Sequence, residues 1–210
     1  MTSTLFAPKT RALLDKLFAA ADLDGQLSAR ELPEDARGKA DALEDVYMPI
    51  SAAGGRLLYA LVRATRPAVV VEFGTSYGIS TLHLAAAVKD NGTGRVYGTE
   101  LSATKVTAAR EHLATADLSD HVTILEGDAL ETLAGVPGPI GLVLLDGWKE
   151  LSLPVLRLLE PRLGPGALVV ADDITLPSMR PYLDHVRDPH SGYVGVEFPV
   201  EDGMEISCRV

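Results

Sequence analysis

At 210 residues and 47% apolar content, the chain is long enough to bury one sizeable core. A net charge of −10, with no Lys/Arg cluster longer than a pair, argues against a nucleic-acid partner, because phosphate binding needs a basic stripe. No apolar stretch approaches the ~20 residues of a membrane span, and the start (Met1-Thr2-Ser3-Thr4-Leu5-Phe6) lacks a signal-peptide core. These features point to a cytoplasmic protein with no membrane contact and a small-molecule partner.

Residues 1–60 read as helices, with apolar faces at Leu13, Leu14, Leu17 and Phe18 and at Leu57, Leu58, Leu61 and Val62. Between them, Asp22-Leu23-Asp24-Gly25-Gln26-Leu27-Ser28 with Glu31 resembles part of a calcium loop. Its first ligand position would be Ala20 and Pro33 interrupts the exit helix, so it reads as a polar connector. Pro67 ends the helical region. After it, strand-like runs at 68–73, 95–99, 121–125, 141–146 and 166–171 alternate with helix-like runs at 79–89, 102–116, 151–162 and 178–187. Ser102 is a good N-cap for the second of these, which lines up Val106, Ala109 and Leu113. Gly92-Thr93-Gly94 and Gly164-Pro165-Gly166 read as breaks before strands. Alternation of this kind predicts a parallel sheet covered on both sides. Residues 192–198 and 204–210 read as a closing antiparallel hairpin that places Cys208, the single cysteine, in a strand as a small core residue.

The run Val69-Val70-Val71-Glu72-Phe73-Gly74-Thr75-Ser76-Tyr77-Gly78-Ile79-Ser80 is an apolar strand that turns over small residues into a helix. Ligands of open parallel sheets sit at such carboxyl-terminal turns. The spacing is not the G-x-G-x-x-G of nicotinamide binding. It does match G-x-S-x-G, and Asp173 and His185 would complete a serine-hydrolase order. Against that reading, the turn follows the first strand of the sheet and His185 falls within a helix-like stretch. Glu100, at the end of the next strand, suits the two hydroxyls of a ribose. Two later apolar strands also end in acids, Asp146 and Asp172-Asp173. Carboxylates gathered at one place repel unless a cation or proton intervenes, and hard oxygens suit Mg²⁺. Lys149 is the basic group of this cluster. Beside a cation its pKa would fall, which suits proton abstraction. Trp148, the only tryptophan, suits a wall of the acceptor pocket, a stack against adenine, or a purely structural role.

From about Met48 to the C-terminus the chain resembles the cation-dependent class I O-methyltransferases, the group that includes catechol and caffeoyl-coenzyme A O-methyltransferases. Met48-Pro49-Ile50-Ser51, the Glu72–Ser80 turn, Glu100, Gly127-Asp128-Ala129, Asp146-Gly147-Trp148-Lys149, Ala171-Asp172-Asp173 and Asp202-Gly203-Met204-Glu205 carry the likeness. The resemblance implies a Rossmann-like methyltransferase fold, with a mostly parallel seven-stranded sheet, a C-terminal antiparallel hairpin and N-terminal helices. It implies one domain over 1–210, in which 1–60 form a helical cover and 61–210 the core. S-adenosylmethionine would lie over Gly74 and Ser76, with Ile50 and Ser80 at its amino-acid end, Glu100 on the ribose and Asp128 and Ala129 flanking the adenine. Asp146 and Trp148 would complete the cofactor site. Asp146, Asp172 and Asp173 would bind the metal, Lys149 would act as base, and the chain would form a homodimer. The expected reaction is methyl transfer to a hydroxyl of a small phenolic or catechol-like acceptor. A methyltransferase that uses no metal is the alternative. The family often carries Asn where Asp173 stands, and catechol enzymes carry a bulkier residue at Gly147.

Overall fold

The structure, a computed structural model, describes residues 3–24, 31–200 and 202–210. The middle of the calcium-loop look-alike, residues 25–30, lies outside them. Seven strands form one sheet: β1 (Val69–Phe73), β2 (Arg95–Glu100), β3 (Val122–Glu126), β4 (Ile140–Leu145), β5 (Leu163–Ala171), β6 (Tyr193–Phe198) and β7 (Met204–Arg209). Their order is β3-β2-β1-β4-β5-β7-β6. The first five strands run parallel, and β7 is antiparallel to both β5 and β6. The hairpin is therefore present, but its second strand pairs with the sheet and its first becomes the edge.

Alternation along β1 sends Val69, Val71 and Phe73 to one face of the sheet and Val70 to the other. On the Val70 face lie α1 (Pro8–Ala21), α3 (Ala52–Thr65), α4 (Ile79–Asn91) and α5 (Ala103–Thr115), which bury Leu17, Leu58, Leu82 and Val106. On the other face, α6 (Ala129–Thr132), α7 (Ser152–Leu159) and α8 (Arg180–Val186) pack Ala129, Leu156 and Tyr182 against Val143 and Leu145. A parallel strand covered on both faces has no polar side, which is why β1 and β4 are near-continuous apolar runs. A shorter helix, α2 (Ala36–Ala42), lies between α1 and α3 in sequence, capped by Asp35 through Gly38 N at 2.8 Å. Ser102 caps α5 as expected, accepting from Lys105 N.

Two expectations are corrected. Gly164-Pro165-Gly166 does not precede a strand but lies inside β5, where the pairing jumps from Ile140–Leu163 to Leu142–Leu168. Gly166, at φ +77°, takes up that bulge. Cys208 is half-buried rather than a core residue, because it lies opposite Val194 on the outer hairpin, and Val194 is 66% exposed.

Candidate active site

The strand order reverses at β1, which has β2 on one side and β4 on the other. Register then sets the geometry. Phe73 pairs with Thr99 and with Leu145, and Leu145 with Ala171. The next residues, Gly74, Glu100, Asp146 and Asp172, therefore leave the sheet at one level. Backbone bonds hold them there: Gly74 N to Thr99 O (3.2 Å), Asp146 N to Phe73 O (2.9 Å) and Asp172 N to Leu145 O (3.1 Å). Above them opens a cleft of about 380 Å³.

The turn after β1 is shaped around a buried acid. Alternation turns Glu72 to the α4 side, where it is fully buried. It accepts hydrogen bonds from Thr75 Oγ1 (2.8 Å), Ser80 Oγ (2.7 Å) and Thr81 Oγ1 (2.6 Å). Burial pushes its pKa up to about 7 despite these three donors. Gly74 is required twice over. Its φ is +98°, and a Cβ would stand 2.6 Å from the carbonyl oxygen of Asp146. Gly147 is similarly constrained, since a Cβ there would stand 2.5 Å from the ring of Phe73.

Glu100 uses both oxygens on the cleft's own backbone, accepting from Ser76 N and from Ser102 N at 2.8 Å each. Ser76, at φ +47°, donates its hydroxyl to Tyr47 O at 2.7 Å. Asp128 caps α6 through Leu130 N at 2.8 Å. Ile50, Gly74, Ser76, Ser80, Glu100, Asp128, Ala129, Asp146 and Trp148 all border the cleft, so every residue expected to touch a cofactor is brought to one place.

At the other end of the cleft the ammonium of Lys149 lies 3.0 Å from Asp146 Oδ1 and 2.9 Å from Asp173 Oδ2. Burial works against the charge on Lys149, but the two carboxylates outweigh it and hold its pKa above the usual lysine value. Asp146 is raised by burial, an effect that Lys149 only partly offsets. Asp172 sits behind the cleft wall, and burial, Asp146 and Asp173 push it up to about 7. Among the described residues no three His, Cys, Asp or Glu side chains stand ready-grouped around a metal position. The aspartates expected to form a cage are adjacent, but the lysine bridges two of them and the third faces inward. In donor type and charge the set still fits a hard divalent cation, since three carboxylates share a single ammonium.

The hydrolase arrangement is not assembled. Ser76 gives its proton to a backbone carbonyl, Asp173 pairs with Lys149, and His185 on α8 bonds Glu160 at 2.7 Å.

Sequence reasoning missed the strap that closes the cleft from the N-terminal side. Asp24 accepts from Tyr47 N (3.0 Å) and Met48 N (2.7 Å), and Tyr47 stacks on Tyr77 with centroids 4.0 Å apart. The buried Lys105, its pKa lowered by burial, stands 5.7 Å over the Tyr77 ring. Lys39 on α2 pairs with Glu150 and lies 5.5 Å over the ring of Trp148. No spacing signals these contacts, since 111 residues separate Lys39 from Glu150.

A methyltransferase-domain profile matches residues 71–174. Catechol O-methyltransferase of Mycobacterium tuberculosis is 31% identical over 159 residues, covering 73% of this chain and 71% of that protein. Catechol O-methyltransferase B of Danio rerio is 30% identical over 167 residues, and the chain spans only 62% of that protein's length. A crystal structure of a cofactor-bound protein from MTB superposes with a TM-score of 0.74 at 26% identity, covering 94% of this chain and 89% of the other. With its sheet order, its acidic strand ends and these relatives taken together, the chain belongs to the cation-dependent class I O-methyltransferase family.

Proposed function

We propose that the protein is an S-adenosylmethionine-dependent O-methyltransferase acting on a hydroxyl of a small phenolic or catechol-like acceptor. The observation that carries this reading is the shared level of four strand ends. It sets Gly74 beside Asp146 along one cleft, with Glu100 on one flank and Lys149 and Asp173 on the other. When bound, the cofactor supplies an electrophilic methyl group on a sulfonium. Glu100 would bind the ribose hydroxyls, Asp128 and Ala129 would flank the adenine, and Gly74 and Ser76 would lie against the cofactor. Ile50 and Ser80 hold the amino-acid end. The proton of Ser80 is committed to Glu72, so its lone pairs face a donor such as an ammonium.

Lys149 handles the acceptor. As an ammonium between two carboxylates it holds an acceptor oxygen by charge. Once those carboxylates are otherwise neutralised, its amine would take the hydroxyl proton and leave the acceptor oxygen as the nucleophile for the methyl group that the cofactor would supply. Fixing both reactants in one cleft lowers the entropic part of the barrier. Asp146, Asp172 and Asp173 would hold a divalent cation, Mg²⁺ being the best match to their oxygens, and such a cation would stabilise the acceptor oxyanion.

The test is transfer of radiolabelled methyl from S-adenosylmethionine to a panel of catechols and simple phenols, with Mg²⁺ and after EDTA. Transfer to the panel supports the reading, and its absence while cofactor binds by calorimetry would leave a binding protein. The Lys149 bridge favours a second reading, in which the ammonium itself is the only cation needed. Activity that survives EDTA selects it.

A further inference from the structure

Trp148 and Lys149 are adjacent, so whatever positions the indole also frames the reacting end of the cleft. From outside the sheet, Lys39 of α2 reaches it. The helix α2 turns Ala36 and Ala40, four residues apart and therefore on one helical face, toward the cleft. Small side chains let that helix lie close over the opening. One turn along from Ala36, Lys39 reaches across to the far wall, pairing with the carboxylate of Glu150 and capping the ring of Trp148 at 5.5 Å. The strap is fastened very unequally. Near Gly74 it is held by Asp24 on two backbone amides, by Ser76 Oγ on Tyr47 O, by Tyr77 OH on Glu44 O at 2.7 Å, and by the Tyr47–Tyr77 stack. From α2 to the wall beside Lys149, Lys39 supplies the ion pair to Glu150 and the contact with the Trp148 ring. The Lys39 and Glu150 side chains are 20% and 46% exposed, so solvent and salt reach the pair and keep it weak.

We propose that Lys39 is a positioning residue: α2 is a lid over the acceptor end of the cleft, latched to Glu150 and Trp148 through Lys39, and it opens without releasing the other end. Lys39 touches neither reactant. It acts through Trp148, holding the indole as a wall against which the acceptor packs. The latch therefore acts mainly on acceptor affinity, and cofactor affinity, which has Gly74, Ser76 and Glu100 to hold it besides Trp148, changes less. The inference rests on the methyltransferase reading for its kinetic part, but the latch itself has an optical readout, because Trp148 is the only tryptophan.

The experiment compares wild type with Lys39→Gln, Glu150→Gln and the reversed pair Lys39→Glu/Glu150→Lys. The measurements are acrylamide quenching of tryptophan fluorescence, S-adenosylmethionine affinity by calorimetry, and steady-state kinetics. Each single change raises quenching and raises acceptor KM about fivefold, a factor in the range of an exposed ion pair. Cofactor affinity and kcat stay within about twofold. The reversed pair restores low quenching and low KM, and 0.5–1 M salt, which shortens the Debye length roughly two- to threefold from its value at about 0.1 M, opens the wild type as the single changes do. Unchanged quenching in both single variants overturns the latch. So does a loss of cofactor affinity equal to the loss of acceptor affinity, which would make Lys39 a general support. If wild type transfers no methyl group but quenching responds as described, the functional reading fails and the latch stands.

Discussion

Around Gly74 the buried acids are met by hydroxyls and amides, whereas around Asp146 they are met by an ammonium and by one another. Glu72 takes three hydroxyl donors and Glu100 two backbone donors. Asp146 and Asp173 share Lys149, and Asp172 stands behind them. Hydrogen bonds to neutral donors fix a turn in place and are little affected by salt. A charge cluster with surplus negative charge responds to protons and cations. The difference teaches that one sheet edge carries acids held by neutral donors beside acids held by a shared charge.

The largest expected effect comes from removing the shared cation. Lys149→Ala should lower kcat at least about 100-fold, the usual scale for a lost proton-transfer group. It also leaves the carboxylates of Asp146 and of the partly exposed Asp173 without their shared ammonium, so its melting temperature should fall below wild type at pH 8 and recover toward it at pH 5. Thermal scans at the two pH values, alongside initial rates, check both. Retained turnover would place the reactive group elsewhere.

Gly74→Ala attacks the joint between the two ends. The left-handed backbone alone costs about 1–3 kcal/mol, and the clash with Asp146 adds to it. Chemical denaturation should register the loss, and both cofactor affinity and turnover should fall together. A variant with wild-type stability would mean that the strand ends are less tightly joined than their contacts imply.

Glu100→Gln changes only the recognition end. An amide cannot accept at both Ser76 N and Ser102 N without turning its own NH₂ toward one of them. One backbone donor is then unmatched, at about 1–3 kcal/mol. Cofactor affinity by calorimetry should drop about tenfold or more, with little change in the pH dependence of the rate. An altered pH profile would show that the two ends are electrically coupled.

Glu72→Gln is the mildest change and reads the buried acid directly. A carboxyl whose pKa is about 7 folded, against an ordinary 4.5, binds its proton more tightly in the folded state. Its contribution to stability is complete below pH 4.5 and is lost as the pH rises through 7, to a limit on the order of 3 kcal/mol. Glutamine has no proton to lose, so the fall in melting temperature over that interval should be shallower. Some slope should persist, because Asp172 titrates with the same sign. An unchanged slope would mean that Glu72 does not titrate in this range.

The sequence revealed most of the core because its message there is local. Val69 to Phe73 and Leu142 to Leu145 can only be strands buried on both faces, and Ser102 announces the start of α5 in its own hydroxyl. Glu100, Asp146 and Asp172 were legible as acids at one edge of the sheet because each ends or follows a strand-like run. The bulge at Gly164-Pro165-Gly166 was misread as a break, since a glycine–proline run marks an irregular backbone without saying whether pairing resumes beside it. Glu72 was visible as a letter but not as a buried acid, because its three hydroxyl partners lie on the following turn and helix and only the fold turns them inward.

Local pattern and composition thus determined the class of the protein: strands that must be covered, turns that must be small, and acids delivered to one edge. Tertiary structure alone decided what those acids meet. Lys149 between two aspartates, Asp172 turned behind them, and Lys39 reaching Glu150 across 111 positions all depend on distances between segments remote in sequence. Electrostatic interactions depend on separation and burial in space, and neither quantity is written in the order of the residues.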